Sequence, residues 1–562
     1  MNNQITSCCD LVMKGGVTSG IVYPSAIQEI SKKFHFVGIG GTSAGAIAAV
    51  VTAAAEYRRR HTQSAQGFDL LQQVSDDMSR DGRLLSLFQP DGPTKEYFDL
   101  ALPFLQGSAS TLAKIRLGIR LGWKLLTKRR RNRFIAPLIA NNFGVCSGMA
   151  NDNKGSEPAL TEWLSNLIDQ VSGVENGVHL TFRDLHEAPS PKGCDHLFGD
   201  DSRSIDLRAV TTSLTFGRPF EFPLERHELA FDVEEWRKLF PASVMDQLII
   251  MAKLIDSEQL KVDGKLPLPT IDLPLIVAAR MSLSFPLLFT AIPLYAVNEN
   301  KEGQPLERVM FSDGGITSNF PVHRFDSIYP RWPTLAINFK GTDDDGKPLR
   351  RDLIRDSKYV YMNPDRKKGV VDIWTTLVKN NNAQGSFFAF VFSIFRSAQN
   401  WHDNAFLRLP GFRDRVAEVW LGPGEGGLNL KMKKETVQRL TALGQEAGEQ
   451  LANRYATLDD ANEMSWNGHK WTRFRSGMEG LTEAMEKFGK SLGDSDFDQS
   501  DLAEYFASND APPCFQFTDD AKREEARRLT RKLFDLAQEL QTLKAFEEGP
   551  RPPTEFGSRA PI

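Results

Sequence analysis

The chain has 562 residues, of which 41% are hydrophobic, so it is too long for one simple core and is expected to form more than one structural unit. Its 68 basic and 72 acidic residues leave a net charge of -4, which gives no electrostatic reason to expect a nucleic-acid partner. The five cysteines are scattered and form no CxxC pair, which argues against a disulfide framework or a cysteine metal site and favours a reducing cytoplasm.

Two features of the sequence bear on export and membrane insertion. The first residues, MNNQITSCCDLVMKGG, lack a basic region followed by a long apolar one, so no signal peptide is predicted. The most apolar stretch, residues 275–297, contains Arg280, Pro286 and Pro293, which favours a buried helix followed by a strand over a transmembrane helix. The chain is therefore predicted to be cytoplasmic, with any membrane contact peripheral and at the inner surface.

The N-terminal residues alternate between strand-like and helix-like patterns. Residues 8–13 form an apolar run that ends in glycines, residues 21–30 have helical spacing, and residues 34–39 form a second apolar run. The following helix, from Ala44 to about Arg60, is rich in Ala, Val and Ile and should be buried against a sheet. Such βαβ units predict an α/β fold with a mainly parallel central sheet that is covered on both faces.

The pattern changes twice further along the chain. Residues 61–201 are helical and irregular, which predicts a helical insertion or cap, and strand-like segments return at 205–216, 309–312 and 334–339. A glycine cluster then precedes amphipathic helices in an acidic background. We therefore predict three parts: an α/β domain over 1–425, a helical region over 426–548 and a disordered Pro-rich tail over 549–562.

A candidate nucleophile lies between the second apolar run and the buried helix. Gly41, Ser43 and Gly45 fit GxSxG, in which a strained turn between strand and helix exposes a serine. The motif alone is weakly specific, but a strand before it and an Ala-rich helix after it are the context that it requires. A capping serine on a glycine-rich turn is the structural alternative.

A glycine loop and a late aspartate complete the pattern. Gly15, Gly16 and Val17 begin a loop that ends at Gly20, and their backbone N–H groups could hold either a phosphate or the oxyanion of an acyl-transfer intermediate. The P-loop spacing is absent, so an oxyanion hole is the preferred interpretation. Asp313 follows a strand-like run and precedes two glycines, Gly314 and Gly315, although a turn-forming Asp-Gly would be the better explanation if this segment were considered alone.

Taken together and in this order, the three blocks resemble the patatin-like phospholipase family. The likeness extends to LRAVTTSLTFGRPFEF at 207–222 and AARMSLSFPLLFTAIP at 278–293, and it covers roughly residues 8–340. The family loop usually reads GGGxRG or GGGxKG, whereas Val17 and Ser19 replace the third glycine and the basic residue here. The resemblance implies a patatin-like three-layer fold and makes residues 1–425 a catalytic domain.

The resemblance also implies a Ser-Asp dyad. Because no cluster of metal-ligating residues is visible in the sequence, catalysis is expected to need no metal, and no cofactor is expected. Asp313 would take the proton of Ser43 as the hydroxyl attacks an ester, and partial desolvation is expected to raise the pKa of this carboxyl. A Ser-His-Asp triad that uses His323 is the rival arrangement, but His323 lies only ten residues after Asp313, whereas in α/β-hydrolases the aspartate comes well before a late histidine that has its own loop. His323 is therefore interpreted as a surface or structural residue.

Residues 112–133 predict a basic amphipathic helix that is suited to an anionic membrane surface, with a solvated helix as the alternative. The leading functional hypothesis is a phospholipase A that removes acyl chains from membrane phospholipids. The alternatives are a soluble esterase, thioesterase or acyltransferase with the same dyad, and a non-catalytic effector or scaffold. Oligomeric state, head-group preference and activating signal are not indicated by the sequence.

Overall fold

The fold of the chain is given by a computed structural model. It describes residues 5–16, 18–105, 128–150, 157–175, 177–194, 204–342, 347–350, 358–366, 406–427, 429–456, 463–491 and 519–543, together with a few residues that lie singly or in pairs between these ranges.

The described strands form one large sheet and one short parallel pair. Their bounds are β1 Cys8–Met13, β2 His35–Thr42, β3 Gly144–Cys146, β4 Asp206–Ser213, β5 Arg218–Phe222, β6 Ala230–Asp232, β7 Lys265–Pro267, β8 Leu287–Phe289, β9 Ile292–Val297, β10 Leu306–Asp313, β11 Thr334–Gly341, β12 Val360–Tyr361 and β13 Val416–Leu421. The large sheet has the order β12-β13-β11-β1-β2-β4-β10-β9-β6-β7, with β5 paired to β4, and β3 pairs with β8.

The described α-helices lie between these strands and after the last of them. Their bounds are α1 Tyr23–Ser31, α2 Ala44–Thr62, α3 Gln66–Met78, α4 Arg83–Ser86, α5 Lys95–Leu105, α6 Lys128–Ala140, α7 Leu160–Ser172, α8 Phe182–His186, α9 Val233–Trp236, α10 Ala242–Leu254, α11 Leu275–Ser282, α12 Lys434–Ala456, α13 Trp466–Ser491 and α14 Asp520–Leu543.

The centre of the sheet is parallel and its flanks are antiparallel. Strands β13, β11, β1, β2 and β4 run parallel to their neighbours in that series, whereas β10, β9, β6 and β7 continue the sheet with antiparallel pairing. Parallel neighbours need long crossover connections. Helix α1 lies in the connection from β1 to β2, and α2 begins the connection that follows β2. The predicted fold class, an α/β protein with a large, mostly parallel central sheet and a C-terminal helical region, is confirmed.

Both faces of the sheet are covered, because side chains along a strand alternate between its two sides. Leu11 and Met13 of β1 belong to the main core, which also includes buried side chains of α1, α2, α3 and α7. Val12 points to the opposite side and joins a second core cluster with Phe320 and Val322. The sheet is therefore the middle one of three layers.

The first helix after residue 425 packs directly on the N-terminal α/β unit. The hydroxyl of Ser25 in α1 donates to the carbonyl of Thr441 in α12 at 2.7 Å. At Gly444 in α12 an added Cβ would lie 2.0 Å from the Val22 carbonyl oxygen, so glycine is what allows the two segments to approach each other so closely. Helix α12 therefore contributes to the same core as the sheet. The predicted domain boundary at 425 stays a prediction.

Other predicted segments fall partly outside the described residues. Residues 275–297 form α11, β8 and β9, so the buried helix followed by strand pairing is confirmed. Within the described part of the chain, no helix combines the length and the apolar character that crossing a bilayer requires. Of the basic helix predicted at 112–133, residues 112–127 lie outside the described residues. The tail over 549–562 also lies outside them, except for Pro550.

Candidate active site

Ser43 lies on a tight turn between β2 and α2. Its backbone has φ +54° and ψ -128°, a combination that is unfavourable for a residue with a side chain and that marks strain. The side chain makes no capping hydrogen bond to α2, so the alternative of a simple capping serine does not describe this turn. The residue is only 4% exposed.

The flanking glycines make this turn sterically feasible. A Cβ added at Gly41 would lie 2.1 Å from the carbonyl oxygen of Gly45, and one added at Gly45 would lie 2.3 Å from the carbonyl oxygen of Met13. Both contacts involve backbone atoms, which cannot move away without displacing β1 or α2. The GxSxG pattern is therefore required here by close packing of the helix start against the sheet.

Asp313 ends the antiparallel strand β10, at the same level of the sheet as Ser43. Thr211 of β4 pairs with Asp313, and its neighbour Val210 pairs with Thr42. Strand β4 therefore lies between the strand that ends at Asp313 and the strand that precedes Ser43. Strand β10 begins beyond the carboxyl end of β4 and runs antiparallel to it. The last residues of β10 therefore lie beside the carboxyl ends of the parallel strands. Sequence reasoning placed this aspartate at a strand end but did not anticipate the direction of the strand.

The Asp313 carboxyl is buried, and this burial decides its protonation. Burial raises the pKa of Asp313 to about 7, while hydrogen bonding from the Ser43 hydroxyl and from the Gly315 amide acts in the opposite direction. Oδ1 accepts the Gly315 N–H at 2.8 Å, whereas Oδ2 accepts no hydrogen bond of standard geometry. The Ser43 hydroxyl thus lowers the pKa of this carboxyl although Oδ2 accepts no hydrogen bond of standard geometry.

The rival histidine makes different contacts. The ring of His323 stacks on that of Phe406, with 5.3 Å between the centroids. The groups that shift the pKa of Asp313 are Ser43 and Gly315, and neither is an imidazole. Among the described contacts, the carboxyl at position 313 is thus associated with the serine rather than with His323.

The glycine loop contacts the serine turn, but one of its donors is already engaged. A Cβ added at Gly15 would lie 3.1 Å from the Cβ of Ser43, so the loop and the turn are in contact. The Gly15 N–H donates to the Asn319 carbonyl at 3.1 Å, which differs from the expectation that this amide faces an oxyanion. The Gly16 carbonyl accepts the Ser19 hydroxyl at 3.2 Å, and Val17 lies outside the described residues.

The remaining predicted glycines differ in how strongly their positions require them. At Gly314 an added Cβ would lie 1.9 Å from the Val210 carbonyl oxygen, so this position tolerates no side chain. At Gly20 the nearest atom would be the Cβ of Ala44 at 3.3 Å, a contact that a small shift relieves. The Gly315 amide acts directly, through its hydrogen bond to Asp313.

Ser282 is a site residue that the sequence analysis did not single out. Its Oγ accepts the backbone N–H of Ser43 at 3.0 Å and donates to the Val210 carbonyl at 2.6 Å. It therefore ties the serine turn to β4, the strand between Ser43 and Asp313. The available signal was a lone hydroxyl at the end of an apolar helix, which does not distinguish this role from ordinary packing.

An apolar cavity opens beside the serine turn. It contains about 870 Å³ of empty space, part of it open to solvent. Ala44, the residue after Ser43, lines it, as do Leu283 and Gly20. The rest of the lining is almost entirely apolar and comes mainly from α1, α2, α3 and α7, including Ile27, Ile47, Ala48, Val51, Leu71, Val74, Trp163 and Leu167.

Comparison with known proteins agrees with this fold. A family model described as patatin-like phospholipase matches residues 11–326, more than half of the chain. The chain belongs to the patatin-like phospholipase family. As a member of this family, it is related to lipid acyl hydrolases, and the matched residues contain both Ser43 and Asp313.

A curated relative extends the similarity beyond the patatin-like region. The RpoH suppressor of Rhizobium meliloti (strain 1021) is 31% identical over 630 aligned positions, which cover 93% of this chain and 94% of the relative. An alignment of that extent includes helices after residue 425. The name of the relative specifies no substrate.

Within the residues that the structure describes, no group of three or more His, Cys, Asp or Glu side chains is arranged to hold a metal ion. Catalysis without a metal stays a prediction.

Proposed function

We propose that this patatin-like protein is a phospholipase A that hydrolyses fatty acyl esters of membrane phospholipids, with Ser43 as nucleophile and Asp313 as general base. The observation that carries the proposal is the buried Asp313 carboxyl, whose pKa of about 7 accompanies its interaction with a serine on a strained turn. A general base is most effective when its pKa lies near the working pH. An ordinary exposed carboxylate would be too weak a base at neutral pH.

The reaction proceeds in two steps. Asp313 accepts the proton of Ser43 as Oγ attacks the ester carbonyl, and it returns that proton to the departing lysophospholipid oxygen as the acyl-enzyme forms. Water then attacks the acyl-enzyme and gives its proton to Asp313, which returns it to Ser43 as the fatty acid leaves. The two steps balance as ester plus water to acid plus alcohol.

Backbone N–H groups beside Ser43 would stabilise the oxyanion. The amides of Ala44 and Gly45 in the first turn of α2 have no acceptor within the helix, because the first intrahelical bonds are donated by later residues. The helix dipole adds partial positive charge at the same place. We assign the oxyanion to the Ala44 amide together with the loop at Gly16, since the Gly15 amide is bonded to Asn319.

The cavity beside Ala44 favours a substrate with a long apolar acyl chain. Because its lining is almost free of polar groups, a fatty acyl chain would bury its methylenes there, at about 0.8 kcal/mol for each. A small polar ester gains none of this stabilisation. The cavity therefore favours lipid substrates over water-soluble ones, and peripheral contact through residues 112–133 remains part of the same proposal.

The test compares phospholipid vesicles with water-soluble short-chain esters, for the wild type beside Ser43→Ala and Asp313→Asn. We expect both substitutions to reduce fatty acid release from vesicles by roughly 1,000-fold or more. Asp10→Asn is the matched control, because burial also raises the pKa of Asp10 to about 7 but its carboxyl bonds to Trp332, Gly38 and Thr334 instead of the serine. This control should retain turnover.

Each alternative function has its own outcome. Turnover of short-chain esters without vesicle hydrolysis would indicate a soluble esterase with the same dyad. Acyl transfer to an added alcohol in excess of hydrolysis would indicate an acyltransferase. No turnover of any ester by the folded wild-type protein would leave a non-catalytic effector or scaffold.

A further inference from the structure

A second serine outside the site at Ser43 is hydrogen-bonded in series to a histidine and an aspartate. Oγ of Ser243 lies 2.9 Å from Nε2 of His179, and Nδ1 of the same ring lies 3.0 Å from Oδ2 of Asp169. The two ring nitrogens thus make the two contacts that a Ser-His-Asp triad requires, with the nucleophile on one nitrogen and the orienting carboxylate on the other. Each partner is within the distance of a good hydrogen bond.

Regular elements hold the three residues in place. Asp169 belongs to the last turn of α7, and Ser243 belongs to the first turn of α10. Gln247, one turn after Ser243, accepts the backbone N–H of His179 at 2.8 Å and donates to its carbonyl at 2.8 Å. The histidine backbone is therefore fixed to the helix that carries the serine, which is the kind of support that a precise site needs.

The three side chains line one cavity. It contains about 1,120 Å³ of empty space, part of it open to solvent, and Ser243 is exposed whereas His179 is only 5% exposed. The other lining residues are mainly polar: Arg58, Gln66, Asn166 and Gln170, with Leu70 and Val174. A hydrophilic substrate can thus reach the serine hydroxyl while the imidazole stays shielded from bulk water.

This cavity is remote from Ser43. Arg58 lies in the last turns of α2, whereas Ser43 precedes the first residue of the same helix. At about 1.5 Å per residue, the helix separates the two positions by about 20 Å. The Ser243 cavity and the apolar cavity share no lining residue.

We propose that Ser243, His179 and Asp169 form a second hydrolytic site, specific for small, water-soluble carboxylic esters that carry a negative charge. Ser243 and His179 are its catalytic residues, and Asp169 and Gln247 are positioning residues. Leu70 and Val174 are the large apolar side chains of the lining and offer little surface to a fatty acyl chain, and Arg58 supplies positive charge at the wall of the cavity. This inference is independent of the function that is proposed for Ser43.

The chemistry balances with water as co-reactant. Oγ of Ser243 attacks the ester carbonyl and its proton passes to Nε2 of His179, while Asp169 accepts the hydrogen bond of Nδ1–H and stabilises the imidazolium. The proton then leaves with the alcohol, and water hydrolyses the acyl-serine through the same nitrogen to give the acid. The N–H groups of Ser243 and Val244, in the first turn of α10, have no intrahelical acceptor and would hold the oxyanion.

The test uses the full-length chain with Ser43→Ala, so that Ser43 contributes no signal. A fluorophosphonate, which modifies activated serines, should form an adduct that peptide mass mapping locates at Ser243. Residual hydrolysis of mono(4-nitrophenyl) succinate should exceed that of 4-nitrophenyl acetate. Both the adduct and the residual hydrolysis should fall by about 100-fold or more when Ser243→Ala or His179→Gln is added.

Controls separate a reactive triad from a structural hydrogen-bond chain. Ser491→Ala removes another exposed serine, whose hydroxyl donates to the Lys487 carbonyl, and should leave labelling unchanged. Asp169→Asn should slow labelling without lowering the melting temperature enough to unfold the chain, and Asp169→Glu should restore part of the rate. Because Ser243 is exposed, Ser243→Ala should fold normally even where a variant of His179 does not.

Three results would overturn the proposal. The first is the absence of an adduct at Ser243 in the Ser43→Ala protein. The second is an adduct whose rate is unaffected by His179→Gln, since the imidazole would then not activate the serine. The third is equal ester hydrolysis by Ser43→Ala with and without Ser243→Ala, which would reduce the three residues to a structural role.

Discussion

Ser43 and Ser243 both lie at the start of an α-helix beside a group that can accept a proton, but the chain forms the two sites in different ways. Ser43 has a positive φ, is almost fully buried and approaches a carboxyl next to an apolar cavity. Ser243 lies inside the first turn of its helix, is exposed and contacts an imidazole in a polar cavity.

The difference between the two sites follows from the chemistry of the two bases. A carboxylate becomes a useful base near neutral pH only when burial raises its pKa, so a Ser-Asp site must exclude water. A Ser-His-Asp site uses an imidazole as the base and does not depend on a buried carboxyl for that role, so its serine can remain open to solvent. A buried apolar site suits lipid, and an open polar site suits a soluble ester.

The largest expected effect is that of replacing a glycine beside Ser43, because the turn at Ser43 requires flanking glycines and the helix start at Ser243 does not. Gly45→Ala would place a Cβ 2.3 Å from the Met13 carbonyl oxygen and 2.8 Å from that of Lys14. Because both contacts are with backbone, we expect the free energy of unfolding to fall by about 3 kcal/mol or more and vesicle hydrolysis to be lost. Chemical denaturation and vesicle assays of the same preparation measure both effects.

Gly341→Ala is the matched control, since an added Cβ there meets no atom within 4 Å. It should change neither stability nor turnover. A Gly45→Ala protein with the stability and the activity of the wild type would show that the serine turn is not held as tightly as these contacts require.

The second effect is a pH dependence that should distinguish the Ser43 site. Because Asp313 must be ionised to accept a proton and its pKa is about 7, kcat/KM for vesicles should rise about tenfold per pH unit below pH 7 and level off above it. Hydrolysis at pH 5 should therefore be about 100-fold slower than at pH 8. A profile that is flat between pH 5 and pH 8 would remove Asp313 as the base.

The same burial predicts a change in stability with the opposite trend. The pKa of Asp313 is raised from 3.8 to about 7 in the folded chain, so its contribution to stability is fully present below pH 3.8 and is lost as the pH rises through 7. Asp313→Asn should therefore gain stability relative to the wild type between pH 4 and pH 8, by about 4 kcal/mol at most. Denaturation curves at both pH values measure the gain.

The sequence predicted the local geometry of the Ser43 site better than its long-range contacts. The turn at Ser43 is set by neighbouring glycines and by the strand and helix that flank it, all of which can be recognised over a few residues. By contrast, the engagement of the Gly15 amide depends on Asn319, and the support of the Ser43 amide depends on Ser282. Neither pairing has a spacing that a motif could reveal.

The direction of β10 and the grouping of Ser243, His179 and Asp169 were missed for the same reason. Whether a strand joins a sheet in parallel or antiparallel orientation depends on the path of the chain before it, so the strand before Asp313 could be recognised but not oriented. Asp169, His179 and Ser243 are brought together because the segment that carries His179 contacts both α7 and α10. No short pattern in the sequence connects these residues.

The smallest expected effect compares the positioning residues of the two sites. Ser282→Ala would leave the Ser43 N–H and the Val210 carbonyl without their side-chain partner, at a cost of about 1–3 kcal/mol in stability. Because the turn would loosen rather than collapse, kcat for vesicles should fall about tenfold with KM little changed. Ser31→Ala, which removes a hydroxyl that donates only to the Gln28 carbonyl in α1, should leave kcat unchanged.

Gln247→Leu is the counterpart at the other serine, because it releases the backbone of His179 from α10. It should slow fluorophosphonate labelling of Ser243 and leave vesicle hydrolysis as it is, whereas Ser282→Ala should do the reverse. Two independent sites require this crossed pattern, since no described hydrogen bond joins the two groups of residues. If each substitution lowered both activities by the same factor, a common loss of stability would explain the results, and the distinction between a buried carboxylate site and an open imidazole site would have no functional meaning.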